Sequence, residues 1–455
     1  GGAMSGMTLH QVYAALNTSL PSEVLNTELP KVEVDSRLIT AGDVFVALPG
    51  ARSDGHDHLD SAIANGAQLL VVQRDMGTEF SVPQIVVTDC LQALAALATF
   101  HRAHCRGKVI GITGSVGKTT AKDFLLQLFS KSSLAAYAAP KSYNSEIGLP
   151  LAMLGAPRDA DFIVLEYGIN EPGEMQYLID VVRPDVATIV AIGAAHLEGL
   201  SDLQTIAHEK NRLLQSVSPR GSVWIDNLCL ELLNEDERSW LAESHLCDHT
   251  AYSYSFDGTK FAVNHSQLGE AEVACIAPHE LRLAMLMAEI ALDCQVSPEH
   301  IKESLSCLVK PHGRLQQLRI GDVDFIDDAY NANPTSMLAA LRALSELPCG
   351  GRRVAVLGSM QELGSEQHAL HAQVGRSLDE FAIDVVLCVG ELASVIADAV
   401  PQQIQVVRVA DCAAASMFLS NYCGADDLVL LKASRADQLE RVLIDFEALL
   451  STTIK

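Results

Sequence analysis

The stretch 108–129, KVIGITGSVGKTTAKDFLLQLF, constrains this chain more than any other. An apolar run leads through a glycine-bearing turn into a helical pattern with Phe124, Leu125, Leu128 and Phe129 on one face. A buried strand that feeds directly into an amphipathic helix requires a parallel sheet for that helix to cover. In the turn, Gly114 and Gly117 allow backbone N–H groups to point inward around a phosphate. Lys118 supplies a point charge, and Thr119 and Thr120 offer hydroxyls to Mg²⁺. The helix that follows aims its positive end at the same place. The usual phosphate loop has glycine six residues before its lysine; here that position is Ile112, so the loop is a variant.

The same alternation recurs along the chain. Apolar runs at 43–48, 69–73, 84–87, 161–165, 186–192, 323–326, 353–357, 384–389 and 427–431 read as strands, and 90–104 as an Ala/Leu-rich helix. This predicts an α/β protein of parallel sheets covered on both faces. A length of 455 residues suits several domains. Breaks near Arg106-Gly107 and at Lys310-Pro311-His312-Gly313 divide it into 4–106, 107–310 and 311–455. Gly1-Gly2-Ala3 ahead of Met4 read as a cloning remnant and are set aside.

Composition excludes some functions. A net charge of -25 repels nucleic acid and anionic lipid. The 11 cysteines include no CxxC pair, which argues against a zinc ribbon or dithiol site and fits a reducing cytoplasm. No apolar run approaches the ~18 residues of a membrane span, and no secretory leader is recognisable. The expectation is a cytoplasmic monomer.

Polar residues cluster just after the apolar runs, where open parallel sheets bind ligands. Glu166 closes DFIVLE and is a natural Mg²⁺ ligand, although a solvated strand end reads equally well. His196 follows VATIVAI and is as easily structural as a ligand. Lys210, in HEKNRLL, reads as an exposed helical lysine. After VDFI comes DDAYNANPT, 327–335, dense in hydrogen-bonding groups suited to a ribose or peptide, or to a simple turn. Arg314 precedes it, and Lys432 and Arg435 in KASR could hold a carboxylate or phosphate.

Taken together these segments resemble the Mur ligases over nearly the whole chain. The carriers are DSRLITAGDVFVALPGARSDGHDHLDSAIANGAQLLVV at 35–72, TGSVGKTT at 113–120, YNSEIGLPL at 143–151 and LEYGINEPGEM at 165–175. AHLEGL at 195–200, DDAYNANPTSM at 327–337, VLGSMQELG at 356–364 and KASR at 432–435 complete the set. DDAYNANP is the most specific; the relative that adds the third amino acid has an Asp-Asn-Pro-Arg type of signature there.

The resemblance implies an N-terminal uridine-nucleotide domain, a central P-loop ATPase domain and a C-terminal Rossmann-like domain. It implies an enzyme that uses ATP and Mg²⁺ to join D-alanyl-D-alanine to UDP-N-acetylmuramoyl-tripeptide through an acyl phosphate. A ligase for another amino acid, a folylpolyglutamate-type enzyme and a non-hydrolysing nucleotide module are the rival readings. The implied ATP residues are Gly114, Ser115, Gly117, Lys118, Thr119, Thr120, Arg314, Asp328 and Asn331. Lys118, Lys210, His196 and Arg314 carry catalysis. Thr119, Glu166, His196 and a carbamylated Lys210 hold metal. Ser36, Arg37, Asn144, Asn333, Lys432 and Arg435 contact substrate. The family's His-Asn-x-x-Asn near the adenine reads His279-Glu280-Leu281-Arg282-Leu283, so both amides are missing. Lys-Gly-Ser-Arg reads Lys432-Ala433-Ser434-Arg435, and Lys-Gly-Glu reads Lys210-Asn211-Arg212.

Overall fold

The computed structural model describes residues 7–23, 31–193, 197–243, 246–248 and 252–453. The first sheet has strands β1 (Val32–Glu33), β2 (Val44–Val46), β3 (Leu69–Val72) and β4 (Gln84–Val86), parallel and in that order. The central sheet has β5 (Lys108–Thr113), β6 (Ala136–Ala138), β7 (Phe162–Tyr167), β8 (Val186–Ile189), β9 (Ser222–Ile225) and β10 (Leu246–Asp248). Its order is β10-β9-β8-β5-β7-β6, all parallel. Strands β11 (Tyr252–Phe256), β12 (Phe261–His265) and β13 (Gly269–Val273) form a separate antiparallel sheet. The last sheet comprises β14 (Gln316–Ile320), β15 (Val323–Asp328), β16 (Arg353–Leu357), β17 (Val385–Val389), β18 (Gln405–Val409) and β19 (Leu428–Lys432). Its order is β14-β15-β19-β16-β17-β18, with only β14 antiparallel.

The expectation of parallel sheets alone therefore needs correcting at β11–β13 and at β14. The sequence carries the reason. In β12, Phe261, Val263 and His265 are buried while Ala262 and Asn264 are exposed. Such alternation belongs to an antiparallel sheet with one wet face, and residues 257–260 and 266–268 are short enough for hairpins. Strand β8 stops at Ile189, three residues before the apolar run ends. Val190, Ala191 and Ile192 instead line a cavity beside the phosphate loop.

Local capping fixes helix starts. Asp89 accepts from Leu91 N at 2.8 Å to open helix Cys90–Ala103, and Asp202 accepts from Thr205 N at 2.8 Å to open Leu203–Gln215. The first and central units share one apolar core, in which Val44, Leu69, Leu94 and Leu97 join Leu149, Met153 and Ile163. The other face of the central sheet is covered by helices Lys118–Ser130 and Pro278–Asp293. The C-terminal sheet has its own core on each face.

Candidate active site between the central and C-terminal units

Strand β5 sits between β7 and β8, so the turn after it opens at the place where strand order reverses, the preferred ligand crevice of such sheets. Gly117 is the N-cap of helix Lys118–Ser130 with φ 86°, a left-handed conformation that glycine adopts without strain. Ser115 ties the turn to the chain after β8: its N–H donates to Ala191 O at 2.8 Å, and its hydroxyl donates to Gly193 O at 3.1 Å.

A cavity of about 550 Å³ opens above this turn. One wall is the central unit: Ser115, Gly117, Lys118, Thr119, Thr120, Ser142 and Asn144. The facing wall is the C-terminal unit: Arg314, Asp328, Tyr330, Asn331, Asn333 and Lys432. The units approach closely beside it; a Cβ placed on Gly193 would lie 2.1 Å from Thr335 Oγ1. The strand-end positions of two separate sheets therefore face one another across one space.

Lys118 Nζ donates to Gly114 O at 2.7 Å. Enclosure pulls its pKa down to about 8; Glu166 pulls upward, Arg314 downward and Glu362 upward. Thr119 Oγ1 donates to Glu166 Oε1 at 2.8 Å and lies 2.7 Å from Ser142 Oγ. Glu166 is buried, lies behind Thr119 and belongs to the strand β7, which continues to Tyr167. Asn144 packs against Gly168, two residues further on. These hydroxyl and carboxylate oxygens are the hard donors that Mg²⁺ takes, usually beside phosphate and water, so the residues present fit such an ion. Among the described residues no group of three or more His, Cys, Asp or Glu could hold a metal by itself.

Lys210 corrects the sequence reading: it is fully buried, on the inner face of helix Leu203–Gln215. Burial, and next the charge of Lys118, drive its pKa well below the ordinary lysine value. His196 lies outside the described residues.

On the facing wall, the Arg314 guanidinium stacks 4.2 Å from the centre of the Tyr330 ring. Lys432 pairs with Asp328 at 2.7 Å, and Leu315 N donates to the other Asp328 oxygen at 3.0 Å. Asn333 caps helix Pro334–Glu346, accepting from Ser336 N at 2.9 Å. Arg435 does not line the cavity; it turns to Glu440 at 2.6 Å. Ser36 and Arg37 also lie away from it, in the first unit. There Ser36 is buried, and Arg37 is exposed and holds Asp35 at 2.7 Å. That hydrogen-bonded pair lowers the Asp35 pKa to about 2, with a smaller pull from Lys141 of the central unit.

Glu280 and Leu283 stand where the family has amides. Glu280 accepts from Ile276 N at 3.0 Å and Ala277 N at 3.2 Å and lies 3.5 Å from Lys310. It is a helix cap and not a free group. Leu283 and an Arg282–Asp226 ion pair line that end of the cavity. Sequence reasoning did not single out Ser142 or Lys122. For Lys122 the signal was available: it follows Lys118 by one helical turn and falls inside the buried face of the helix.

Three family profiles match the chain in succession: the Mur ligase family catalytic domain over 29–102, the Mur ligase middle domain over 112–292, and the Mur ligase glutamate ligase domain over 313–435. The Escherichia coli K12 UDP-N-acetylmuramoyl-tripeptide–D-alanyl-D-alanine ligase is 32% identical over 87% of this chain and 88% of its own length. The chain belongs to the Mur ligase family. The Bacillus subtilis ligase of the same description is 28% identical over 92% of this chain and 93% of its own. Among solved structures, MurF from Acinetobacter baumannii superposes with a TM-score of 0.86, at 28% identity over 98% of this chain and 99% of that one. The MurF ligase of Thermotoga maritima in complex with ADP gives 0.79, at 26% identity over 93% and 98%. This Mur ligase thus has the three-part α/β architecture of those enzymes. Among its described residues no helix is long and apolar enough to cross a membrane.

Proposed function

We propose that this Mur ligase is an ATP-dependent, ADP-forming carbon–nitrogen ligase that joins D-alanyl-D-alanine to UDP-N-acetylmuramoyl-tripeptide in peptidoglycan precursor synthesis. The observation that carries the reading is the cavity with a phosphate loop on one wall and the DDAYNANP segment on the other. The relatives that bear this description cover the chain nearly end to end.

A carboxylate does not accept an amine at neutral pH, because oxide is a poor leaving group. Transfer of the γ-phosphoryl group to a carboxylate oxygen breaks its bond to ADP and gives an acyl phosphate. The amine nitrogen then bonds to the acyl carbon, the carbon–oxygen bond to phosphate breaks, and the amine gives up a proton. Positioning and charge neutralisation dominate such a transfer. Gly117 and the helix N-terminus present N–H donors, and Lys118 offsets the repulsion between phosphate and carboxylate. Arg314 would add charge from the facing wall, and Asp328 and Asn331 would contact the nucleotide. Thr119, Glu166, His196 and a carbamylated Lys210 would hold Mg²⁺, which when bound neutralises the phosphate charge. An enclosed Lys210 with a depressed pKa favours the neutral amine that carbon dioxide can modify. Ser36 and Arg37 would hold the uridine-nucleotide end; Asn144, Asn333 and Lys432 would contact the peptide or the incoming amine, and Arg435 would join them only by leaving Glu440 as the units close. The units divide at 106/107 and 310/311, and the third closes over the second to exclude water from the acyl phosphate.

Mass analysis of the product from UDP-tripeptide, ATP, Mg²⁺ and D-alanyl-D-alanine tests the reading. The expected product is the UDP-pentapeptide. Phosphate release should be stimulated by D-alanyl-D-alanine and not by diaminopimelate, lysine or glutamate. Stimulation by one of the latter alone would reassign the acceptor.

A further inference from the structure

One buried cation near the phosphate loop has no role in the mechanism above. Lys122 lies on helix Lys118–Ser130, and its side chain is 3% exposed. It does not line the cavity, so it touches neither phosphate nor peptide. Its ammonium donates to two backbone carbonyls and forms an ion pair with one carboxylate. Nζ lies 3.1 Å from Glu166 Oε2, 2.8 Å from Ala139 O and 3.1 Å from Lys141 O.

These acceptors belong to two segments that bear on the same spot. Glu166 turns its other oxygen, Oε1, to the Thr119 hydroxyl at 2.8 Å. The carbonyls of Ala139 and Lys141 immediately precede Ser142, whose hydroxyl meets Thr119 at 2.7 Å, and Asn144 follows. One lysine therefore bears both on which carboxylate oxygen faces Thr119 and on where the Ser142 loop sits. Taking an ammonium out of water costs several kcal/mol. An apolar side chain would fill the slot without that cost, so packing alone does not account for a lysine there.

We propose that Lys122 is the positioning residue of the cation site: through Glu166 and the Ala139–Lys141 carbonyls it holds the carboxylate and hydroxyl oxygens in register for a divalent ion at Thr119. This rests on the reading of Thr119 and Glu166 as cation ligands.

Mn²⁺ binding to the ADP-saturated protein, followed by electron paramagnetic resonance, tests it together with ADP affinity in EDTA. For Lys122→Met the expected result is at least tenfold weaker Mn²⁺ binding, with metal-free ADP affinity within threefold of the parent. Equal Mn²⁺ affinity in a folded K122M protein overturns the proposal. Should K122M fail to fold, Lys122→Gln, which keeps a donor toward the carbonyls, is read in the same way. A double-mutant cycle with Glu166→Gln separates positioning from general damage. Loss of Lys122 should cost less than threefold once Glu166 is gone, and an undiminished cost there refutes action through the carboxylate. If the parent protein with ADP binds no more Mn²⁺ than ADP alone, the fault lies in the cation reading underneath.

Discussion

The central unit meets its two neighbours in opposite ways. Against the first unit it shares a core: Leu94, Leu97 and Ala98 of helix Cys90–Ala103 lie in one buried cluster with Leu149 and Met153. Polar ties seal the edge, with Thr99 Oγ1 donating to Val181 O at 2.9 Å and Arg102 pairing with Asp185 at 2.9 Å. Against the C-terminal unit the apolar contact is thin, carried by Phe256, Ile276 and Ala277, and much of the facing surface is the cavity, where Lys118, Arg314, Asp328 and Lys432 stand among apolar side chains. Interior packing resists small displacements, whereas an interface that encloses an open cavity can part at modest cost. The first pair is built to stay together. The second is the one that the proposed function requires to open and close on a ligand.

The sharpest way to break this contrast is to attack the polar side. Lys118→Ala should lower turnover by about 10²–10³, the cost of removing one preorganised donor, and leave stability nearly unchanged. Phosphate release with all substrates present measures it; normal turnover in K118A would remove the phosphate loop from the chemistry.

On the apolar side the same kind of truncation should do the reverse. Leu97 is completely buried in the shared core. Leu97→Ala should cost roughly 3 kcal/mol, as lost transfer energy plus a cavity, and turnover of the protein that remains folded should stay near normal. Urea unfolding beside steady-state kinetics reads both. A turnover loss in L97A larger than its loss of folded protein would mean that the first interface also moves during the reaction.

Between these extremes lies the connector. Gln127 holds Val309 from both sides, Nε2 donating to Val309 O at 2.9 Å and Oε1 accepting from Val309 N at 2.8 Å. Gln127→Ala removes both exposed hydrogen bonds to Val309 and a third to Asp123 O at 3.2 Å, worth together about 1–2 kcal/mol. Proteolysis near residue 309 should quicken, and the radius of gyration without ligands should rise. Unchanged cutting would place the hinge elsewhere.

How much of this was legible in the sequence follows from physical range. The strand runs, the phosphate turn and the position of Asp328 at a strand end are local patterns, and they appear in the fold within a few residues. Lys210 reads as solvated because neighbours in sequence say nothing about the helix face that tertiary packing buries. Arg435 sits three residues after Lys432, which suggested a joint anion site; a 3-10 turn at Arg435–Asp437 instead sends the two side chains to different partners. The antiparallel sheet was missed because its strands mix polar and apolar residues and never form an apolar run.

The smallest effect concerns acid. His279 opens onto the cavity, yet enclosure there lowers its pKa to about 4; Asp328 pulls upward, while Lys432 and Lys310 push further down. Enclosure is the largest cause, and the cavity that His279 lines is walled on its far side by Arg314, Asp328 and Lys432 of the C-terminal unit, so parting the two walls would return the imidazole to water. An opened form, with its imidazole in water, takes a proton near the ordinary value of about 6.5. The closed form stays neutral to lower pH. The opened form therefore binds more protons between about 6.5 and about 4, so the contribution of His279 to closure is fully present above that window and is lost as pH falls through it. Small-angle scattering at saturating ADP should show a gradual expansion from pH 7 toward pH 4.5. His279→Gln should flatten that slope, because an amide does not titrate there. The interface around Leu97 holds a group of its own, His101, buried on helix Cys90–Ala103 with Nε2 2.8 Å from Ala156 O and its pKa lowered by burial, so hydrogen exchange there should show a separate acid-induced loss of protection that His279→Gln leaves unchanged. A loss of protection at helix Cys90–Ala103 that His279→Gln also removes would mean that the two interfaces open as one and not separately.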